Sequence, residues 1–401
     1  MERPGASPQA GASFLSVSVL LHVGFVLTGS VATLLGPLLP ELSARWSLDD
    51  AQAGYLFTSQ FLGSMAGVAL SSALLPRQGF RFSLVLGFAT MSGGVAALTL
   101  SSWATGLVCV FCYGIGLGLT IPASNLWVAD AKSDRRAAAL NILNMAWGIG
   151  AVAWPPVVAL AQRSSSRLVL LLGLATALGL MSVCLAWGSF ADCVGRSRQA
   201  DDLFQPQARV WGSRFLPILG ALFFLYVGTE NALGGWVASY ARRMGAIPGT
   251  TWVLTPSFFW GALLVGRGLA PALLRYVAET TLVPLGLLLA VFGVSFLLAA
   301  TTLAGVVVGV SFAGLGLASV FPIAVALLSQ SFGASASRVA GAMFALGGLG
   351  GATLPWLVGF SSTHLGSLKA GLVVPLLGSL AMIALHVLYV HFKTKDFLQL
   401  G

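Results

Sequence analysis

An all-α membrane protein of twelve transmembrane helices, arranged as two pseudo-symmetric six-helix bundles, is the fold class this sequence predicts. Three observations predict it. The 401-residue chain is 57% hydrophobic and only 8% charged, with a mean hydropathy of +0.90, where a soluble domain has about a quarter of its residues charged. Twelve apolar runs are each long enough to cross a bilayer. Glycine- and proline-bearing motifs recur at half the chain length.

A span needs roughly 20 apolar residues, because a helix rises only about 1.5 Å per residue. The runs cover about 14–40, 48–75, 80–101, 103–128, 137–161 and 167–190, then 214–240, 251–273, 280–300, 302–330, 337–361 and 370–392. Residues 1–13, MERPGASPQAGAS, are polar and carry Pro and Gly, which predicts a flexible leader. The run from Phe14 is too long for a signal-peptide core and lacks a cleavage site, so it is expected to be retained. Residues 191–213 are the longest polar interruption and predict a linker between an N-terminal bundle (14–190) and a C-terminal bundle (214–392). Residues 393–401 form a short tail.

Charge orients the spans. With the N-terminus inside, 15 of the 21 Lys and Arg residues fall on the cytoplasmic side and 6 on the other. Both termini, and the linker, are then cytoplasmic, in a cell (inner) membrane. The formal charge of +9 is thereby a topology signal and calls for no nucleic acid. Glycine at 49 positions suits close helix approach within the bilayer. Cys109 and Cys112 form a CxxC, but inside the apolar run LVCVFCYGIG with no histidine near, so they read as small apolar filler. The sequence calls for no metal and no cofactor.

The internal repeat is the most specific signal. WGIGAVAWP (Trp147–Pro155) matches GGLGGATLP (Gly347–Pro355) at an offset of 200, and GLGLTIP (Gly116–Pro122) echoes GLGLASVFP (Gly314–Pro322) at 198 to 200. Gly29 and Gly36 correspond to Gly228 and Gly235 at 199. A parallel repeat of six helices is the plan of a rocker-type secondary transporter, with the solute held between the halves. A duplicated membrane protein that moves nothing, such as a sensor, is the alternative.

SALLPRQGFR, between the second and third runs, resembles the GxLxDRxGRR signature of the major facilitator superfamily. Arg77, Gly79 and Arg81 are retained, with Pro76 at the usual Asp and Ser72 at the opening Gly. WGALLVGRGLAPALLR, with Gly266, Arg267 and Arg275, resembles the matching segment of the second half. The resemblance spans essentially all twelve runs. Within the superfamily, LYVGTENALGGWVASY, NILNMAWGIGA and ASVFPIAVALLSQSFG resemble the fucose permease branch, which includes bacterial sugar–proton symporters and animal sodium-dependent glucose transporters. That resemblance implies the major facilitator fold, a sugar-like solute and a coupling ion. Two carboxylates that the branch carries align with Gly36 and Ile121 here, although Asn125 of the second motif is retained. The branch's own proton carriers are therefore missing, and any coupling has to use another group.

Glu230 is the candidate. Of the twelve acidic residues it alone lies deep in a span, about 24 Å along the helix at about 1.5 Å per residue. A carboxylate at that depth costs about 2.5–3.5 kcal/mol, so it is expected to face a cavity and to have a partner. Desolvation favours the neutral form of a carboxyl, so such a group can load a proton on one side and release it on the other. It can equally accept hydrogen bonds from solute hydroxyls or help to hold sodium. The structural alternative is a buried acid tied to a neighbouring helix, for example by Gln60 or Asn144. Gly234 and Gly235 lie just beyond Glu230 and suit either a bend at an outer gate or a tight helix crossing.

Sugar recognition needs amides for hydroxyls and flat rings for C–H faces. Gln60, Asn125, Asn144 and Asn231 are the candidate amides, with Trp147, Trp236, Phe259 and Trp260 as candidate platforms. Interhelical bonding and packing are the alternatives for each. Arg77 and Arg81 are additionally placed to latch onto Asp130 when the cytoplasmic side closes, the other loop arginines, Arg267 among them, having topological value.

No nucleophile–base pair, phosphate loop or metal cluster points to an enzyme. The expectation is therefore a monomeric secondary transporter that moves a small polar solute, a monosaccharide, with proton symport through Glu230. The alternatives are a proton-driven antiporter exporting amphiphilic compounds, a sodium-coupled symporter and a non-transporting receptor.

Overall fold

The computed structural model describes residues 8–131, 135–163, 167–187, 212–244 and 250–400. Most of the expected leader and nearly all of the linker at 191–213 lie outside the described residues. Among those described there is no strand. The helices are α1 (Pro8–Ala32), α2 (Leu35–Trp46), α3 (Asp50–Leu98), α4 (Trp103–Ala131), α5 (Arg136–Arg163) and α6 (Arg167–Trp187), then α7 (Phe215–Arg243), α8 (Thr255–Leu273), α9 (Glu279–Ala299), α10 (Leu303–Leu317), α11 (Val320–Phe332), α12 (Ala336–Leu365), α13 (Leu368–Gly371) and α14 (Val373–Leu400).

These elements follow the apolar runs, with breaks where the backbone chemistry demands them. The first run is bent by 40° between α1 and α2. Pro37 lacks the N–H that would bond the Thr33 carbonyl, so the ladder stops one turn before it. Pro322 does the same to Ala318, at the step from α10 to α11. α3, at 49 residues, is long enough to cross a hydrocarbon core of about 30 Å twice. Its backbone leaves helical geometry at Gly79, with φ 77° and ψ 177°. A side chain at that φ clashes with its own backbone, which explains a glycine at this point of the SALLPRQGFR motif. Among the described residues, ten helices are long and apolar enough to span, eleven with α1–α2 taken as one. Dividing α3 at Gly79 gives the twelve crossings expected.

Two compact units form. The first comprises Met1–Leu34 and Leu62–Gln199, the second Leu35–Phe61 and Ala200–Gly401. Each unit repeats the same close crossings. In the first, Gly150 of α5 lies against the Val26 carbonyl oxygen of α1; in the second, Gly350 of α12 lies against the Phe224 carbonyl oxygen of α7. Gly116 of α4 meets the Gly87 carbonyl of α3, and Gly316 of α10 meets the Gly286 carbonyl of α9. The offsets, 198 to 200, are those of the sequence repeat, so the duplicated glycines are duplicated packing contacts. Lipid tails offer no hydrophobic drive between helices, and close backbone approach supplies dispersion contact instead.

The second unit includes the short segment Leu35–Phe61, from the first half of the sequence. Small residues seat it: Gly36 lies on the Gly234 carbonyl, Gly54 on the Trp356 backbone, and Gly359 under the Asp50 carbonyl.

Candidate functional site

α7 carries the site because it is buried almost all round, touching α2, α8, α10, α11, α12 and α14. Glu230 is buried near its middle. Its Oε1 accepts from Arg267 Nη2 of α8 at 2.8 Å and from the Tyr226 hydroxyl at 3.1 Å. The same Nη2 also donates to the Tyr226 hydroxyl at 3.0 Å. Tyr226 and Glu230 are one helical turn apart, so they share a face. The carboxylate is 10% exposed and the guanidinium side chain 28%. Together they form a pair of zero net charge, the arrangement in which a membrane interior tolerates ions. Losing one member of such a pair costs about 3–5 kcal/mol, because the survivor is left desolvated and uncompensated.

Aromatic rings back the triad. The Tyr226 ring lies 5.4 Å from Phe321 of α11, and Phe223 stands edge-on to Phe321 and Phe344 at 5.6 and 5.7 Å. Asn231, half-buried on the next face, donates its Nδ2 to the Val227 carbonyl at 2.8 Å.

Glu230 thus has a partner, and it is a charge rather than an amide. Gln60 is buried in the second unit. Trp236 is 1% exposed, donates Nε1 to the Pro355 carbonyl at 2.8 Å and packs against Phe57. Phe259 and Trp260 are buried against each other at 5.0 Å. α7 runs unbroken through Gly234 and Gly235, whose missing side chains admit Trp260 and Phe57 respectively; these glycines permit close crossings.

Asn125, Asn144 and Trp147 belong to the first unit. Asn125 and Asn144 each donate Nδ2 to the carbonyl four residues back at 2.8 Å, which leaves the amide oxygens as acceptors. Arg77, Arg81 and Asp130 are all exposed, and no ion pair joins them in this structure.

Two residues of the triad were not singled out by sequence reasoning. Tyr226 had a signal: it lies four residues before Glu230. Arg267 was counted with the loop arginines because it is near the end of its apolar run. It lies six residues inside the α8 terminus, and its side chain reaches across to α7.

A second charged cluster lies at the far end of α7. Asp50 takes both nitrogens of Arg243, the bond from Nη1 measuring 2.6 Å, and also the Ser362 hydroxyl. The Ala51 N–H donates to Thr363 at 2.9 Å, and Arg242 donates to the Pro40 carbonyl at 2.8 Å. A cavity of about 600 Å³ opens here, lined by Asp49, Asp50, Tyr240, Arg243, Thr363 and Lys369 among others. Arg243 is half exposed, so the bidentate pair is worth about 1 kcal/mol. Asp50→Asn should lower the thermal stability of the purified protein modestly. The deficit should shrink between low and high salt, since exposed charges are screened; a salt-independent deficit would mean that the pair is effectively buried.

The Major Facilitator Superfamily model matches residues 21–355. The mouse (Mus musculus) sodium-dependent glucose transporter 1A is 22% identical over 387 residues, covering 86% of this chain and 89% of its own. Among solved structures, a bacterial homolog of the human lysosomal transporter Spinster, in an inward-facing and occupied conformation, superposes with a TM-score of 0.75. It is 16% identical and covers 98% of this chain and 99% of that one. The E. coli fucose:proton symporter superposes with a TM-score of 0.62 at 17% identity, covering 94% and 99%. At these identities the structures speak for the fold, and the family match speaks for the chain. This chain belongs to the Major Facilitator Superfamily, as a multi-pass membrane transporter and not an enzyme.

Proposed function

We propose that this protein is a secondary active transporter that moves a sugar-sized polar solute by proton symport, with Glu230 as the coupling group. The observation that carries the reading is the Glu230–Arg267–Tyr226 triad, the charged group buried in the middle of α7. A carboxylate that exchanges a proton changes the charge of the triad by one, and that change alters which arrangement of helices the membrane interior tolerates. The names of two relatives, a glucose transporter and a fucose:proton symporter, support a sugar-like solute. The mouse relative's name also supports sodium as the ion. Against sodium stands Arg267, whose positive charge lies 2.8 Å from the carboxylate and repels a second cation there.

In this reading the Asp50–Arg243–Ser362 cluster is a gate on the outer side, the side the distribution of Lys and Arg assigns to it. Its contacts part when the segment Leu35–Phe61 leaves α7 and α12. The half-exposed geometry suits bonds that make and break in every cycle.

Purified protein in proteoliposomes tests the coupling with a panel of labelled neutral and acidic monosaccharides. An inward proton gradient should drive accumulation, and a protonophore should abolish it. Glu230→Gln should lose the response to the gradient while retaining counterflow exchange, with Glu230→Asp as the folding control. Accumulation by Glu230→Gln that still follows the gradient would remove the coupling role. Accumulation that survives the protonophore but needs sodium rather than choline outside would transfer the coupling to sodium.

A further inference from the structure

The triad leaves hydrogen-bond donors over on the arginine side. Arg267 uses Nη2 alone, giving one N–H to Glu230 and one to Tyr226. Its Nε is buried with no acceptor, and its Nη1 makes no hydrogen bond among the described residues. A guanidinium has five N–H groups in a planar fork that fits a carboxylate through two parallel bonds. Three of those donors are unused here. Either two-bond edge of the fork includes Nη2, so an arriving carboxylate binds bidentately only by taking a place on Nη2 that Glu230 or Tyr226 now holds.

Resting on the transport reading above, we propose that the solute is itself a carboxylate, a hydroxy-acid of monosaccharide size, and that its anionic group replaces Glu230 on Arg267 as Glu230 takes the proton. The reason is charge balance. Arginine stays protonated at any physiological pH, so a proton on Glu230 leaves Arg267 without its counter-charge. A neutral sugar does nothing to restore it. A bound monoanion restores it fully, and the proton and the anion therefore favour each other's binding by the same factor. A phosphate ester carries about −1.5 to −2 and would overshoot the one positive charge present.

The surroundings fit a hydroxylated acid. The Tyr226 hydroxyl offers a polar contact, with Phe321 and Phe344 as apolar faces. Among the described residues, the charged and titratable groups acting on Glu230 are Tyr226 of its own helix and Arg267 of α8. Among the described residues, the elements α2, α10, α11, α12 and α14, which also pack on α7, bring none against it.

Proteoliposomes of the wild-type protein, loaded with a pH-sensitive dye, test this with matched pairs: glucose against glucuronate, galactose against galacturonate, and glycerol against glycerate. At least one acid should accumulate with its neutral partner inert. One proton should enter per molecule, and an imposed potassium-diffusion potential should leave the rate unchanged, because a proton and a monoanion carry no net charge. In a thermal-shift assay the same acid should stabilise Glu230→Gln more than wild type, since the variant mimics the protonated carboxyl and leaves Arg267 free. Proton-driven accumulation of a neutral sugar without its acid overturns the proposal and leaves the transport reading standing. Binding without flux in every arm overturns both.

Discussion

Glu230→Leu should be the most damaging single change at the site, destabilising the purified protein by about 3–5 kcal/mol. It strands a guanidinium that cannot shed its charge. Arg267→Met should cost less, because the carboxyl left behind can take up a proton and become neutral. The double variant Glu230→Leu/Arg267→Met should recover most of the loss, since paired charges replaced by apolar groups of similar volume are often neutral or stabilising. Thermal unfolding of the four proteins in one detergent measures this. Additive losses, with no recovery in the double variant, would mean that the two side chains sit in water and are not a buried pair. Stability and transport also separate here: the double variant should fold and should not accumulate solute.

Gly350→Val should abolish most of the folded yield. Its side chain would be driven into the Phe224 carbonyl of α7, an atom that cannot rotate away. Overpacking of a tight contact costs about 1–3 kcal/mol and more when backbone must move. Gly150→Val should behave alike, because its side chain would meet the Val26 carbonyl at the equivalent crossing in the first unit. Gly341→Val is the control: it lies on the same helix as Gly350, with nothing within 4 Å of the added carbon. Fluorescence-detected size exclusion of detergent extracts reads all three. If Gly350→Val elutes as a monodisperse peak of wild-type height, α7 and α12 do not cross as closely as described.

Most of the fold was legible before any coordinates. Spanning a bilayer forces every backbone group to be satisfied inside its own helix, so each crossing announces itself as an uninterrupted apolar run. The breaks inside the runs 14–40 and 302–330 were not expected, and Pro37 and Pro322 are the signals that mark them; the kink at Gly79 falls between the runs 48–75 and 80–101. The extent of the units was less legible. Leu35–Phe61 belongs in sequence to the first half, yet its glycines and Asp50 bond to α7 and α12.

The site was half legible. Glu230 was conspicuous because a lone acid in an apolar run is costly, and Tyr226 was one turn away on the same helix. Arg267 was not, because hydropathy places an arginine near a helix end at the membrane surface, where its long side chain ordinarily turns outward. Here it turns inward.

The sequence by itself determined the number of crossings, the duplicated plan and the presence of one costly acid, since all three depend on local composition and on distance along the chain. Only the tertiary structure decided what that acid touches. Arg267 is 37 residues away on another helix, and whether it meets Glu230 depends on how α7 and α8 are rotated and how closely their backbones pack. Those quantities are set by contacts across helices, which no single run of residues encodes.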